Sequence, residues 1–265
     1  MYKEFYQFSE KTTRKVSNNA FYLHSHNTYE IYMFLEGEAE YIVEEKVYTL
    51  SPGDIIIIKK HEMHRVHILG NKKYHRIVFM LEPDFFVSNN IPELENIFLK
   101  SSNKTGNKIN ADEARACGLY DAIMRFKKYN TASEPSSAVV AKSVLIEFLY
   151  LLSGVSDLEY THTANKNLAD IIIYLNNNFT DNITLDFLCD KFFVSKYYLC
   201  HIFKEATGLT VQKYIKEKRL VRALELKNSG MTLTEAALRS GFDNYSSFFR
   251  VFTKRYNSNP TNFKE

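Results

Sequence analysis

The stretches TLDFLCDKFFVSKYYLCHIF (184–203) and TLTEAALRSGFDNYSSFFRVF (232–252) decide how this chain is read. Each opens on Thr-Leu, runs through a short helical pattern, breaks at a tight turn and resumes as a second helical pattern. The first copy ends on His201-Ile202-Phe203, the second on Arg250-Val251-Phe252. The breaks fall at Phe192-Phe193-Val194 and at Ser240-Gly241-Phe242. Ser195 in one copy, and Asp243-Asn244 in the other, stand where a side-chain oxygen would cap the next helix. Thr232 and Glu235 have the spacing of a capping box. This duplication is the helix-turn-helix layout, in which the second helix of each unit enters the major groove.

Helical periodicity assigns the faces. Leu199, Ile202 and Phe203 face the first unit's core, which leaves Lys196, Tyr197, Cys200, His201 and Lys204 outside. In the second unit Phe248, Val251 and Phe252 face inward, and Tyr245, Ser246, Phe249 and Arg250 point away. Thr210–Ser229 reads as one continuous helix between the units, roughly 30 Å long, against about 34 Å for a turn of B-DNA. It carries Lys213, Lys216, Lys218, Arg219, Arg222 and Lys227, cations that suit phosphates. Gly208, Gly230 and Gly241 punctuate the region as helix-terminating glycines do. Charge agrees: residues 1–164 carry a net −2 and residues 165–265 a net +5, a basic domain beside a mildly acidic one.

The segment from Ser195 to Leu209, then YIKEKRLVRALELK and TEAALRSGFDNYSSFFRVFTKRYNSNP, resembles the DNA-binding domain of the AraC/XylS family along its whole length. The resemblance puts base contacts on Tyr197, Cys200 and His201, and on Tyr245, Ser246, Phe249 and Arg250, with Lys196 and Lys204 beside them. Arg250 stands out because arginine pairs bidentately with guanine. Phe249 is bulkier than the small polar residue common in the family, and Cys200 is a weak hydrogen-bonder.

The first part of the chain has another period. Tyr29–Leu35, Glu38–Glu45, Asp54–Lys59 and Tyr74–Leu81 read as strands separated by turn residues, which suggests a barrel or sandwich. Ala111–Tyr129 and Ser136–Leu152 read as helices. The second is too apolar to be a lone surface helix, so it packs on the barrel or also forms a dimer interface. Residues 153–166 are polar and aperiodic, as a linker would be. No apolar run approaches membrane-spanning length, and Met1-Tyr2-Lys3-Glu4 shows no secretory leader. Three widely spaced cysteines, Cys117, Cys189 and Cys200, fit a reducing cytoplasm rather than a disulfide framework.

His24-Ser25-His26, Glu30 and Gly37, followed by Pro52-Gly53-Asp54 and His64, resemble the two motifs of the cupin superfamily, whose fold is a double-stranded β-helix. The resemblance implies a site made by His24, His26, Glu30 and His64. Residues at i and i+2 of a strand share a face, so both leading histidines can turn inward. The set suits a divalent metal, a polar ligand, or a purely structural role. If Glu30 faces inward, Tyr32 and Phe34 do too, with Tyr41 and Val43 as further lining residues. With no tryptophan, stacking on a sugar would fall to tyrosine or phenylalanine.

The expected fold is therefore α+β in two domains. A cupin-like sensing barrel spans 1–88, a helical segment packing on it spans 89–152, a linker spans 153–166, and an all-α DNA-binding domain with two helix-turn-helix units spans 167–265. The expected function is sequence-specific regulation of transcription, modulated by a small molecule such as a sugar in the barrel at His24, His26, Glu30, Tyr32, Phe34 and His64. Promoter DNA, a second copy of the chain and, for an activator, RNA polymerase are the expected partners, with no membrane. No cofactor is required, and a metal held by His24, His26, Glu30 and His64 is the alternative. A metal-dependent cupin enzyme fused to a DNA-binding domain is the competing reading. No nucleophile–base pair or phosphate loop in the chain supports catalysis independently.

Overall fold

The computed structural model describes residues 5–14, 23–70, 73–100, 106–134, 136–155 and 166–260. Most of the 153–166 linker and the residues beyond Asn259-Pro260 lie outside them. Eight strands lead: β1 (Tyr6–Thr13), β2 (Tyr29–Glu36), β3 (Ala39–Val43), β4 (Lys46–Thr49), β5 (Ile55–Ile58), β6 (His64–Ile68), β7 (Tyr74–Leu81) and β8 (Lys108–Ile109). They form a five-stranded sheet ordered β1-β7-β2-β5-β8 and a three-stranded sheet ordered β4-β3-β6. The pairings are antiparallel, with Tyr6 opposite Leu81 and Glu30 opposite Ile58.

Period-2 alternation sorts strand β2 between two cores. Ile31 and Met33 point to an outer core with Ile55, Ile57, Ile77 and Phe79. Tyr32 and Phe34 point between the sheets, among Tyr41, Tyr48, Ile56, Ile58, Val66 and Tyr74. Helices α1 (Pro83–Ser88), α2 (Asn96–Lys100), α3 (Ala111–Ala116), α4 (Leu119–Asn130) and α5 (Ser137–Ser153) follow β7, with β8 between α2 and α3, and α4 and α5 cover the outer core with Phe126, Leu145, Phe148 and Leu149. Strand β2 is thus buried on both faces, which is why it is apolar almost throughout.

Three sequence expectations need correction. The single helix expected over Ala111–Tyr129 is two, α3 (Ala111–Ala116) and α4, because Gly118 sits at φ 75° and breaks the ladder. The strand expected over Glu38–Glu45 stops at Val43, and Glu44 turns the chain at φ 50°. Strands β1, β4, β6 and β8 lack the apolar pattern that would announce them. Strand β1 is an edge strand whose side chains are mostly half-exposed, so its sequence YQFSEKTT stays polar.

Six helices follow: α6 (Lys166–Asn178), α7 (Leu185–Phe192), α8 (Lys196–Thr207), α9 (Val211–Asn228), α10 (Leu233–Arg239) and α11 (Tyr245–Tyr256). Side-chain oxygens of Thr184, Ser195, Thr210, Thr232 and Asn244 cap α7 to α11 in turn. The capping box between Thr232 and Glu235 is complete. Among the described residues, no helix is long and apolar enough to cross a membrane.

Candidate nucleic-acid interface and sensing site

The outward faces of α8 and α11 are set by what each helix buries. In α8, Leu199 and Phe203 are fully buried and Ile202 half-buried, while Lys196, Tyr197, Cys200, His201 and Lys204 are exposed. Tyr197 stands 81% exposed and stacks on His201 with rings 6.0 Å apart. Lys196 donates to Asp186 at 2.9 Å, tying the start of α8 to α7. In α11, Phe248 and Phe252 are buried and Val251 is half-buried, with Ser246 and Arg250 exposed. Tyr245 and Phe249 do not stand fully clear of the core as the periodicity predicts. Both are half-buried, and Tyr245 packs its ring 5.7 Å from that of Phe248.

Helix α9 does more than space the units. Arg219 donates through Nε to the Phe179 carbonyl at 2.6 Å and through a terminal nitrogen to that of Asp181 at 2.7 Å, tying α9 to the loop before α7. Gly241, in the second unit's turn at φ 90°, lies so close to Thr180 that a Cβ there would come within 2.5 Å of its carbonyl oxygen. The two units therefore touch as well as being joined by α9. Lys218 and Arg219, counted among the cations facing DNA, are both used inside the protein: Lys218 donates to Glu44 at 3.1 Å. Between α9 and α11 runs a groove of about 580 Å³ whose walls include Lys213, Lys216, Arg250 and Lys254.

The second site lies in the barrel. His24 and His64 form an isolated antiparallel bridge, exchanging backbone bonds of 3.0 and 2.8 Å. Their rings lie 4.5 Å apart, and that of His26 is 4.8 Å from His64. Glu30, buried at the start of β2, accepts from His26 Nε2 at 3.0 Å and from the Tyr41 hydroxyl at 2.9 Å, and its Oε2 lies 3.5 Å from His64 Nε2. The structure thus brings together all four residues named from the sequence and adds Tyr41.

Burial alone would raise the Glu30 carboxyl. The charges of His64 and His26 and the hydrogen bond from His26 outweigh it and hold Glu30 well below the usual carboxylate range. Burial likewise pulls His64 down, but the Glu30 carboxylate prevails and raises it. His64 Nδ1 donates to the Glu62 carbonyl at 2.8 Å, which aims Nε2 into the cluster. Tyr32 and Phe34 lie deeper, 1% and 0% exposed, with the Tyr32 hydroxyl 2.8 Å from that of Tyr74. Both are packed into the core between the two sheets rather than lining an open wall. His67 and His75 pair with Glu40 and Glu10, away from the cluster.

Residues that periodicity could not find lie where the two halves meet. Leu23, Ile42 and Met63 of the barrel share a core with α6, α8 and α9. Leu23 and Met63 flank the histidines in sequence, and alternation could have marked them as facing the other way. Their partners could not be read from it.

The model of the AraC-like ligand binding domain matches residues 10–148, and that of a helix-turn-helix domain matches residues 188–265. The HTH-type transcriptional activator RhaS of Salmonella schwarzengrund is 23% identical over 253 residues, covering 93% of this chain and 88% of that protein. RhaS of Salmonella paratyphi A is 22% identical over 253 residues with the same coverage. Among solved structures, ToxT from Vibrio cholerae aligns over 97% of both chains at 17% identity with a TM-score of 0.43. With the ligand-binding domain spanning over half its length and the paired helix-turn-helix units behind it, the chain belongs to the AraC family of DNA-binding, effector-modulated transcription regulators.

Proposed function

We propose that this regulator reads promoter DNA with α8 and α11 in successive major-groove segments, and that a small polar molecule in the barrel modulates its hold. One observation carries the DNA reading: two capped helices, α8 and α11, each present an exposed polar face, and Lys213, Lys216, Arg250 and Lys254 line the groove between α9 and α11. Arg250 and Ser246 would contact bases from the second unit, with Tyr245 and Phe249 offering ring edges. Tyr197, Cys200 and His201 would do so from the first, with Lys196 and Lys204 at its phosphates. Lys213, Lys216 and Lys254 line the path that the backbone between the two grooves would follow.

The effector is best matched by a sugar or another small molecule rich in hydroxyls. His24, His26, His64, Glu30 and Tyr41 supply convergent donors and acceptors, with Tyr32 and Phe34 packed in the core between the two sheets. The same residues give a second reading. The ring nitrogens of His24, His26 and His64 all lie within 4.8 Å of one another. Two imidazoles on one zinc ion, at about 2.0–2.1 Å each, stand at most about 4.2 Å apart. A small closure of the rings would thus let the three histidines, with Glu30, hold a divalent ion.

The working form is a cytoplasmic homodimer joined through α5, whose apolar Val139, Val140 and Tyr150 stand exposed on its outer face. The two RhaS relatives are named as activators, which supports activation here and hence contact with RNA polymerase. The role is regulatory rather than catalytic. Selection of duplexes from a random pool by the full chain, followed by mobility shift with and without a panel of sugars, tests the reading. A recovered motif whose affinity changes with one sugar is expected. Failure to enrich any motif would sink it. Elemental analysis of the purified protein decides the metal, and turnover of a small acid or sugar by metal-loaded protein would revive the enzyme.

A further inference from the structure

The barrel residues that carry the sensing cluster are the same ones that grip the DNA-binding domain. Along Leu23–His26 the chain alternates. His24 and His26 turn their rings toward Glu30 and His64. Leu23, 1% exposed, packs into the core of the first helix-turn-helix unit, and its amide donates to the Thr207 carbonyl at the end of α8. The Ser25 carbonyl accepts from Arg255, near the end of α11, at 3.2 Å. Four consecutive residues thus touch the histidine cluster on one side and the C-terminal ends of both reading helices on the other. Met63 repeats the pattern beside His64: it is fully buried in the same shared core.

Glu44 adds a polar clasp. It sits in the turn between β3 and β4 at φ 50°, a conformation in which glycine or asparagine would be far less strained. Its carboxylate accepts from Asn176 of α6 at 3.0 Å and from Tyr214 and Lys218 of α9 at 3.2 and 3.1 Å. Oε1 also accepts from the Met63 amide at 2.8 Å, which ties the clasp to the strand holding His64. The contact is not uniformly favourable. Arg65, opposite Ile42 in register and 3% exposed, leaves its Nε without a partner among the described residues. A buried unpaired donor of this kind weakens the closed state.

We propose that Leu23–His26 and Glu44 form an interdomain latch that couples the histidine cluster to the relative pose of the two DNA-reading units. A molecule that draws His24 and His26 toward His64 must move Leu23 and Ser25, which hold one unit each. The coupling is a difference in how well the latched and unlatched arrangements accept that molecule. The last step rests on the cluster being the effector site; the latch itself does not.

The native cysteines provide the measurement. Cys117, on the barrel side, and Cys200, on α8, are both exposed. In the full chain carrying Cys189→Ser, spin labels on these two report the distance between the domains. The latched protein should give one narrow distribution. Glu44→Ala and Leu23→Ser should each broaden it toward longer distances and change affinity for the selected duplex by about tenfold. Glu44→Gln, which keeps the shape and loses the charge, should broaden it less and guards against misfolding of the harsher variants. His24→Ala should also move the distance, because its neighbours carry the latch. Distributions for Glu44→Ala and Glu44→Gln that match the parent, with duplex affinity within about twofold, overturn the latch. An unmoved distance in His24→Ala overturns its link to the cluster. The distance measurement needs neither effector nor DNA, so it decides the latch even where the sensing reading fails.

Discussion

The two helix-turn-helix units share a scaffold and differ in what they present. Both cap their first helix with threonine, Thr184 or Thr232, and their second with a short polar side chain, Ser195 or Asn244. Both bury two large apolar residues four positions apart, Leu199 and Phe203 or Phe248 and Phe252. The outer faces diverge. Helix α8 displays an aromatic ring stacked on an imidazole, whereas α11 half-withdraws its aromatics and leaves Ser246 and Arg250 outside. Packing constrains the inward positions because a core tolerates little change in volume. No such constraint acts on the outward ones, so a repeated scaffold can carry two unlike outer faces.

The largest test of this comparison concerns how the second unit is seated. Gly241→Ala forces a Cβ against the Thr180 carbonyl at φ 90°, and should lose about 3 kcal/mol or more in denaturant unfolding of the full chain. Gly230→Ala shares the unfavourable backbone at φ 100° but meets open space, and should lose only about 1 kcal/mol. Equal losses would mean that contact between the units contributes nothing.

Next come the readers. Arg250→Ala should weaken binding to the selected duplex by about 1–3 kcal/mol and relax base choice at one position. Tyr197→Ala should weaken it less and leave base choice nearly unchanged. The opposite pattern in a repeated selection would assign sequence reading to the first unit.

The caps give a finer contrast. Thr232→Ala removes a reciprocal capping box and should destabilise by about 1 kcal/mol, whereas Thr184→Ala removes one bond and should cost about half as much. Thermal melts of the two variants side by side would show whether the order holds. The smallest effect is expected of Lys216→Ala. An exposed phosphate-facing lysine should lower the slope of log affinity against log salt by about one, equally for all sequences.

Much of this was legible in the residues. The duplication, the caps at Ser195 and Thr232, the α9 boundaries and the inward faces of α8 and α11 all follow from local rules of helix geometry. So does the inward turn of Tyr32 and Phe34, once Glu30 is placed. What escaped was decided by neighbours distant in sequence. Lys218 looks like a phosphate ligand until Glu44 reaches it from the barrel. Strands β1 and β6 are polar because β1 lies at a sheet edge and β6 gives His64 to the histidine cluster and His67 to Glu40.

By itself, then, the sequence determined the division into a strand-rich part and a helical part, four of the eight strands, the paired helix-turn-helix units and, through the cupin resemblance, the four residues His24, His26, Glu30 and His64 that cluster. Helical and strand periods are properties of adjacent residues, and the chain displays them without any tertiary contact. Only the tertiary structure decided that Leu23 and Met63 belong to the DNA-binding domain's core, that Arg219 and Gly241 seat one unit on the other, and that Glu44 clasps α6 and α9. Those contacts join residues far apart along the chain. No local pattern encodes such partners, because they exist only once the two halves have docked.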